Sequence, residues 1–313
     1  MLNRRHLRIK VLQVLYAFIQ SDNKDLSSGE KELFAGIEKV FDLYCIFLSV
    51  ISKVAEIIDT EQEQARNKKL PTYEDLNPDK RFINNYITRA ISESEILQRE
   101  IKNRKLIWAH DSEIIKKIYR AFVASDAYKQ YLSAAPSEEA DLQAILSLLE
   151  EYIVNFEALE YFLEERTIYW HDDFEAAAVA AMKSIRLLSN KKPLLTLASL
   201  YKDEKDDIAF VRQLFRMAVL HNDELQEMVA QKTKNWEIDR VALMDIILMK
   251  MALTEFLYMD EIPLKVSLNE YIEISKTYST PKSRLFINGV LDKLVIELKE
   301  AGKIQKKGRG LIE

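Results

Sequence analysis

Apolar side chains recur along this chain at steps of three and four residues, the period of one face of an α-helix. The longest run spans residues 28–66, where Leu33, Ile37, Val40, Tyr44, Phe47 and Ile51 fall at those steps. The same period predicts helices over 2–20, 79–106, 111–132, 137–166, 171–189, 193–203, 206–232, 237–259, 264–279 and 282–300. Pro71 and Pro78 bracket a turn-rich loop, and Pro136, Pro193, Pro263 and Pro281 mark further interruptions. No segment alternates convincingly at period two, so no sheet is expected. A fixed-period solenoid repeat is not visible either.

Composition agrees with an all-α chain. Six glycines and six prolines among 313 residues stand well below the usual combined share of about 12%. Between Gly36 and Gly302 the only glycine is Gly289, so no glycine-rich phosphate loop fits in that stretch. GxGxxG, GxxxxGK[ST] and GxSxG patterns are missing from the whole chain, which argues against the common α/β nucleotide-dependent enzymes. No cofactor is expected.

The net charge of −5 conceals an uneven distribution. Arg4, Arg5, Arg8 and Lys10 open the chain with no acid among them, and residues 301–313 form a basic tail. Residues 141–180 instead hold ten acids against Arg166 alone. A basic terminus can therefore bind phosphates although the whole molecule is acidic. The single cysteine, Cys45, cannot form an internal disulfide, and four scattered histidines supply no Cys/His metal framework. The expected compartment is the cytoplasm. Residues 1–19 resemble a signal peptide superficially, but Gln13 interrupts the apolar run and no small-x-small cleavage site follows Ile19. No uninterrupted apolar run approaches the roughly 20 residues of a spanning helix, so no membrane partner is expected.

On the first predicted helix, Leu7, Val11, Val14, Leu15 and Phe18 form an apolar stripe. At about 100° per residue, Arg5, Arg8 and Tyr16 lie within roughly 80° of one another beside it. Clustered guanidinium groups next to an aromatic ring suit single-stranded nucleic acid, contacting phosphates while the ring stacks on an unpaired base. The ordinary alternative is a basic helix end with Tyr16 half-buried.

Motifs in the last hundred residues shift that balance. Glu255 closes a strongly apolar segment, followed by Ile262-Pro263-Leu264-Lys265-Val266-Ser267-Leu268-Asn269-Glu270 and by Phe286-Ile287-Asn288-Gly289-Val290-Leu291-Asp292. This succession resembles the NusB family of transcription antitermination factors, which carries an Ile-Pro-x-Lys-Val-x-Ile-Asn-Glu pattern before Phe-Val-Asn-Gly-Val-Leu-Asp. Arg4-Arg5-His6-Leu7-Arg8 leading to Gln13-Val14-Leu15-Tyr16 is similar to the family's arginine-rich opening and its Gln-Ala-Leu-Tyr. Residues 207–225 resemble the helix before the carboxyl-terminal half. The likeness covers 1–21 and 205–300, leaving 22–204 as a helical insertion of unknown role or an expanded amino-terminal half. Lys282, where an acid is common, adds a cation; Leu285 replaces a frequent lysine.

The resemblance implies an all-α, NusB-like two-bundle protein without enzymatic activity. It implies binding to boxA RNA, a single-stranded element of nascent ribosomal RNA, with the ribosomal protein NusE and the transcription elongation complex as partners. Carried over by position, Arg4, Arg5, Arg8, Tyr16, Lys282, Ser283, Arg284 and Phe286 would form the RNA surface, with Glu255 contacting the protein partner. Phe286 has an equally strong reading as core. Two other functions stay open: a non-catalytic subunit or relic of a ribosomal-RNA cytosine methyltransferase, and a helical interaction scaffold that does not bind RNA. Whether the free protein forms a homodimer is also open.

Several residues have structural readings. Gly289 within a helix costs about 1 kcal/mol relative to alanine, which suggests close helix packing. Asn269 and Asn288 sit in apolar patterns and read as buried amides, while Asp239, Arg240 and Asp245 suggest ion pairs at a helix entry. Glu164, Glu165, Trp170-His171-Asp172-Asp173 and Glu175 could suggest a metal, but no Glu-x-x-His or HExxH spacing supports one. Asp172 and Asp173 fit a helix N-terminus instead. The acidic face of 141–180 reads as solvated, as a surface for a basic partner, or as a shield over the RNA site.

Overall fold

A computed structural model describes residues 1–21, 25–106, 112–233 and 241–311. The helices are α1 (Arg4–Gln20), α2 (Leu26–Arg66), α3 (Tyr73–Leu76), α4 (Arg81–Asn84), α5 (Tyr86–Ser92), α6 (Glu95–Asn103), α7 (Ser112–Ala124) and α8 (Asp126–Ser133). They continue with α9 (Glu138–Ser147), a π-helix (Leu148–Val154), α10 (Glu157–Glu164), α11 (Phe174–Arg186), α12 (Glu204–Leu220) and α13 (Asn222–Lys232). The last three are α14 (Leu243–Tyr258), α15 (Leu264–Tyr278) and α16 (Ser283–Glu300). Among the described residues no strand occurs, only an isolated bridge between Ser189 and Lys192. None of the described helices is long and apolar enough to cross a membrane. The all-α expectation therefore holds.

Helix boundaries depart from the periodic pattern where side chains capture backbone donors. The segments expected at 79–106 and 111–132 break because Asn85, Ser94 and Ser125 accept hydrogen bonds from the N–H groups of Ile87, Leu97 and Tyr128. Each residue thus starts a new helix at a point where apolar periodicity continues undisturbed. The segment at 137–166 passes into the π-helix and stops at Asn155, while 206–232 breaks at His221. Residues 193–203 were expected to be helical and are irregular. Tertiary contacts replace the helical ladder there: Ala198 N donates to Tyr44 Oη at 3.1 Å, and the Met1 ammonium donates to Ser199 O at 2.5 Å. Asp173 precedes α11 but makes no side-chain cap hydrogen bond, so position alone overstated its capping role.

Two compact units are present. One comprises Met1 and Glu38–Leu200; the other comprises Leu2–Ile37 and Tyr201–Glu313. The sequence likeness left 22–37 in the central segment, whereas in the structure 25–37 belong with the two chain ends. Gly29 shows why the packing is specific there: a Cβ on it would lie 2.6 Å from Phe215 Cζ and 2.9 Å from Phe18. Those rings meet edge-on with centroids 5.8 Å apart. Gly289, by contrast, is exposed, with nothing within 4 Å of an added Cβ. Of the two, the close-packed glycine is Gly29.

The first unit is built around the middle of α2, whose Tyr44, Phe47 and Ile51 are fully buried. Tyr44 and Ser184 share a 2.8 Å hydrogen bond, and the Trp170 indole donates to Lys39 O at 2.8 Å. Cys45 is buried in this core, and burial pushes its thiol up to about 12. The second unit is organised by α14, buried continuously from Ile247 to Phe256 and packed against α1, α12, α13, α15 and α16. A helix apolar on all sides must be enclosed.

Candidate nucleic-acid interface

Helix α1 begins with a capping box in which the Asn3 side chain accepts from His6 N, and it carries no acid in its first turn. Its arginines therefore project from the positive end of a helix dipole, where cations are disfavoured unless carboxylates compensate. Compensation comes from other helices. Arg4 Nη2 lies 2.5 Å from Asp206 Oδ2 and its Nε 2.8 Å from Asp207 Oδ1, with the guanidinium 4.2 Å from the Phe210 ring centroid. Arg5 forms a two-pronged pair with Glu270 at 2.8 and 2.9 Å. Its hydrogen bond to Glu270 raises the guanidinium above its ordinary range and lowers the carboxylate below its own.

Arg8 points inward. It is 2% exposed and grips Glu255, itself 0% exposed, through Nε–Oε1 at 2.7 Å and Nη2–Oε2 at 2.9 Å. Ser267 Oγ donates to Glu255 at 2.5 Å and Tyr271 Oη at 2.7 Å. Burial opposes the Arg8 charge, yet the field and hydrogen bonds of Glu255 outweigh it and hold the guanidinium above its ordinary range. Burial, reinforced by Glu255, pushes the Tyr271 phenol well upward, so it remains a neutral donor. A buried carboxylate needs this combination of counter-charge and hydrogen-bond donors. Two sequence-based assignments are corrected accordingly. Arg8 is a core ion-pair partner with no face left for phosphate, and Glu255 offers nothing to a protein partner because its carboxylate is enclosed.

The other candidates divide by exposure. Tyr16 is 38% exposed and accepts a long hydrogen bond from Gln20 at 3.4 Å. Lys282 and Arg284 are exposed at the start of α16, while Phe286 is half-buried. Ser283 is buried, its hydroxyl 2.9 Å from Ser279 Oγ and 2.8 Å from Thr280 Oγ1. It therefore joins α16 to the preceding turn instead of facing solvent. Ser279 also bonds Asp245, which supplies the buried Asp245 with a partner. The proposed partners Asp239 and Arg240 lie outside the described residues. Asn269 is exposed and Asn288 bonds along its own helix to Asp292 at 3.0 Å, so neither is the buried bridge expected.

The two ends of the chain converge on α15. Glu273 is held below the usual carboxylate range by a hydrogen bond from Lys276, assisted by the charges of Arg5 on α1 and Arg284 on α16. Lys276 pairs with this partly exposed carboxylate, and the charges of Arg5 and Arg284 also act on it. The basic tail behaves differently: Lys306 donates to Glu255 O and Met259 O at 2.8 and 2.9 Å, closing the C-terminal end of α14. Burial pulls its ammonium down to about 8. Sequence reading missed the counter-charges Asp206, Asp207 and Glu270, although Glu270 lies inside the most recognisable motif. Among the described residues no cluster of His, Cys, Asp and Glu is arranged to hold a metal, and His171 pairs with Glu164 at 2.5 Å.

Comparison with known proteins gives this surface its context. The sequence model of the NusB family matches residues 174–295, reaching back past 205 to Phe174 and leaving α1 outside the match. A transcription antitermination protein NusB of Salinibacter ruber is 46% identical over 103 residues, or 33% of this chain and 64% of the relative. The protein of the same name in Chloroherpeton thalassium is 41% identical over 104 residues, 33% of this chain and 49% of the relative. That of Desulfatibacillum aliphaticivorans is 36% identical over 103 residues, 33% of this chain and 72% of the relative. The chain thus spans 64% and 49% of the length of the first two relatives. No solved structure matches. With the matched region covering α11 to α16 and the relatives sharing one name, the chain belongs to the NusB family.

Proposed function

We propose that this protein is a cytoplasmic, non-catalytic transcription antitermination factor that binds boxA-type single-stranded RNA of nascent ribosomal transcripts together with NusE. The observation that carries the reading is the cation group Arg5, Lys276 and Arg284 around the α1–α15–α16 junction, with Lys282 beside it. Tyr16 lies eleven residues along α1 from Arg5, about 16 Å at 1.5 Å per residue. That separation lets a strand contact phosphate at one end of α1 and stack a base at the other. Arg5 is a suitable phosphate ligand because its pair with Glu270 is partly solvent-accessible, and accessible pairs contribute only about 0–1 kcal/mol, so phosphate can displace Glu270 at small cost. Arg4 can release the exposed Asp206 in the same way but stays held by the buried Asp207. Arg8, Ser283 and Glu255 have no direct part in this mechanism.

The test is boxA RNA binding in the presence of NusE, titrated across a salt series. Arg284→Ala should weaken binding and flatten the log–log salt dependence by about 0.7 for the lost phosphate contact, and Arg5→Ala should weaken binding and flatten it by less, because Glu270 already supplies part of its counter-charge. Tyr16→Ala should weaken binding without changing the slope. Unchanged slopes in both arginine variants would refute the phosphate role.

A further inference from the structure

We propose that a groove in the first unit, bordered by the π-helix, α10 and α11, docks a basic amphipathic helix of a partner protein. The groove encloses about 500 Å³. Val154, Phe174, Ala178, Val179 and Met182 form its apolar floor, and Glu150, Glu160 and Glu175 stand around it. Phe174, Ala178 and Met182 repeat every four residues along α11, as do Glu175 and Val179. These are parallel ridges of one helix surface, and the space beside such ridges is what a second helix fills. Among the described residues no helix fills it, and Val179 remains 36% exposed.

Charge selects the occupant. None of the three carboxylates is in a salt bridge or a side-chain hydrogen bond among the described residues. Carboxylates elsewhere are treated differently: Glu30 is gripped by Arg212 and Arg216, and Asp42 by Lys39 and Arg104. The lining itself holds three carboxylates and no cation, and most of it belongs to the 141–180 segment, where ten acids face Arg166 alone; Lys183 and Arg186 follow further along α11. A low-dielectric cleft ringed by one sign of charge concentrates the field and attracts the opposite sign. Nucleic acid is repelled by the same field. A helix with apolar residues at three- and four-residue spacing and lysine or arginine on its flanks satisfies both the floor and the rim. The wall contributed by Glu150 and Val154 is a π-helix, a rare geometry that occurs frequently at functional sites.

The experiment uses the full chain and a phage-displayed library of random peptides of about sixteen residues, four to five helical turns. Selection is made on the unsubstituted protein, with counter-selection on Val179→Trp, which fills the groove from an exposed position. Enriched peptides should carry apolar residues at helical spacing flanked by lysine and arginine. Their affinity, read by fluorescence anisotropy, should fall at least tenfold in Val179→Trp and at least tenfold in Glu150→Gln/Glu160→Gln/Glu175→Gln. Far-UV circular dichroism of both variants should match the parent. Failure to enrich any peptide would overturn the proposal, as would enrichment of acidic or uncharged peptides. Basic peptides that respond to the glutamine variant but ignore Val179→Trp would also overturn it, because they would report a diffuse charge effect rather than the groove.

Discussion

Replacing Arg8 by methionine should destabilise the helices around it without removing a phosphate contact. The guanidinium is 2% exposed and its partner Glu255 is 0% exposed, so methionine would fill part of the volume and leave a buried carboxylate. Ser267 and Tyr271 would still donate to it, but its ion-pair partner would be gone, leaving only the charge of Lys306 to act on it. Breaking a buried pair in this way costs about 3–5 kcal/mol. Because two compact units are present, a single melting temperature does not isolate the effect. Hydrogen exchange read peptide by peptide does so. Amides of α1, α14 and α15 whose exchange requires opening of that unit should exchange faster by roughly a hundred- to several-thousandfold, the kinetic equivalent of about 3–5 kcal/mol. Peptides of α5, α9 and α11 should be unaffected. Adding Glu255→Gln removes the charge while keeping an acceptor for both hydroxyls, so the double variant should recover at least half of the lost protection. The reasoning fails if Arg8→Met leaves exchange within tenfold of the parent while lowering the salt slope of RNA binding. That outcome would make Arg8 a phosphate ligand.

Gly29→Ala should lower stability by about 1–3 kcal/mol, because its Cβ would meet two rings of a packed interior; Gly289→Ala should raise stability by up to about 1 kcal/mol, since nothing surrounds it. Urea midpoints that move in the same direction for both would refute the assignment of the close-packing role. Lys306 is held at about 8 by burial, so between pH 8 and the ordinary lysine range the unfolded chain binds more protons than the folded one, and stability must rise with pH. The urea midpoint of the parent minus that of Lys306→Met should therefore increase from pH 7 to pH 9.5; a flat difference would contradict it. Glu270→Gln removes the carboxylate that occupies Arg5, so boxA affinity should increase and its salt dependence steepen, and a loss of affinity would show that Glu270 orients Arg5 for RNA.

Much of the helical framework could be read from spacing, because burial of a helix face imposes a period that survives in the residue order. The run through Leu33, Ile37, Val40 and Tyr44 corresponds to α2, and the apolar segment before Glu255 to the enclosed α14. Breaks were harder to find. Ser94 and Ser125 start new helices by accepting one backbone hydrogen bond each, a local event that leaves hydrophobic periodicity intact. Residues 193–203 show the opposite failure. Their leucines have helical spacing, but Tyr44 and Met1 take up backbone groups from distant points in the chain. Gly289 misled because a glycine inside a helix signals that a side chain is dispensable, without revealing whether a neighbour or open solvent lies beside it.

The candidate site was legible as chemistry and misjudged as geometry. Arg4, Arg5 and Arg8 are equivalent as letters, and a helical projection places Arg5 and Arg8 on neighbouring azimuths. What separates them is the depth of the partner. Glu270 meets Arg5 near the surface, whereas Glu255 lies inside α14 and draws Arg8 to full burial. This distinction follows from elements more than 240 residues away, so no local pattern could carry it. It also alters the expected energetics of RNA binding. An arginine already paired with a carboxylate releases fewer bulk ions when phosphate replaces that carboxylate, because part of its counter-charge belongs to the protein. The salt dependence should consequently be shallower than a count of the exposed arginines implies, and acidic neighbours such as Glu270 and Asp206 should set RNA affinity as strongly as the arginines they accompany.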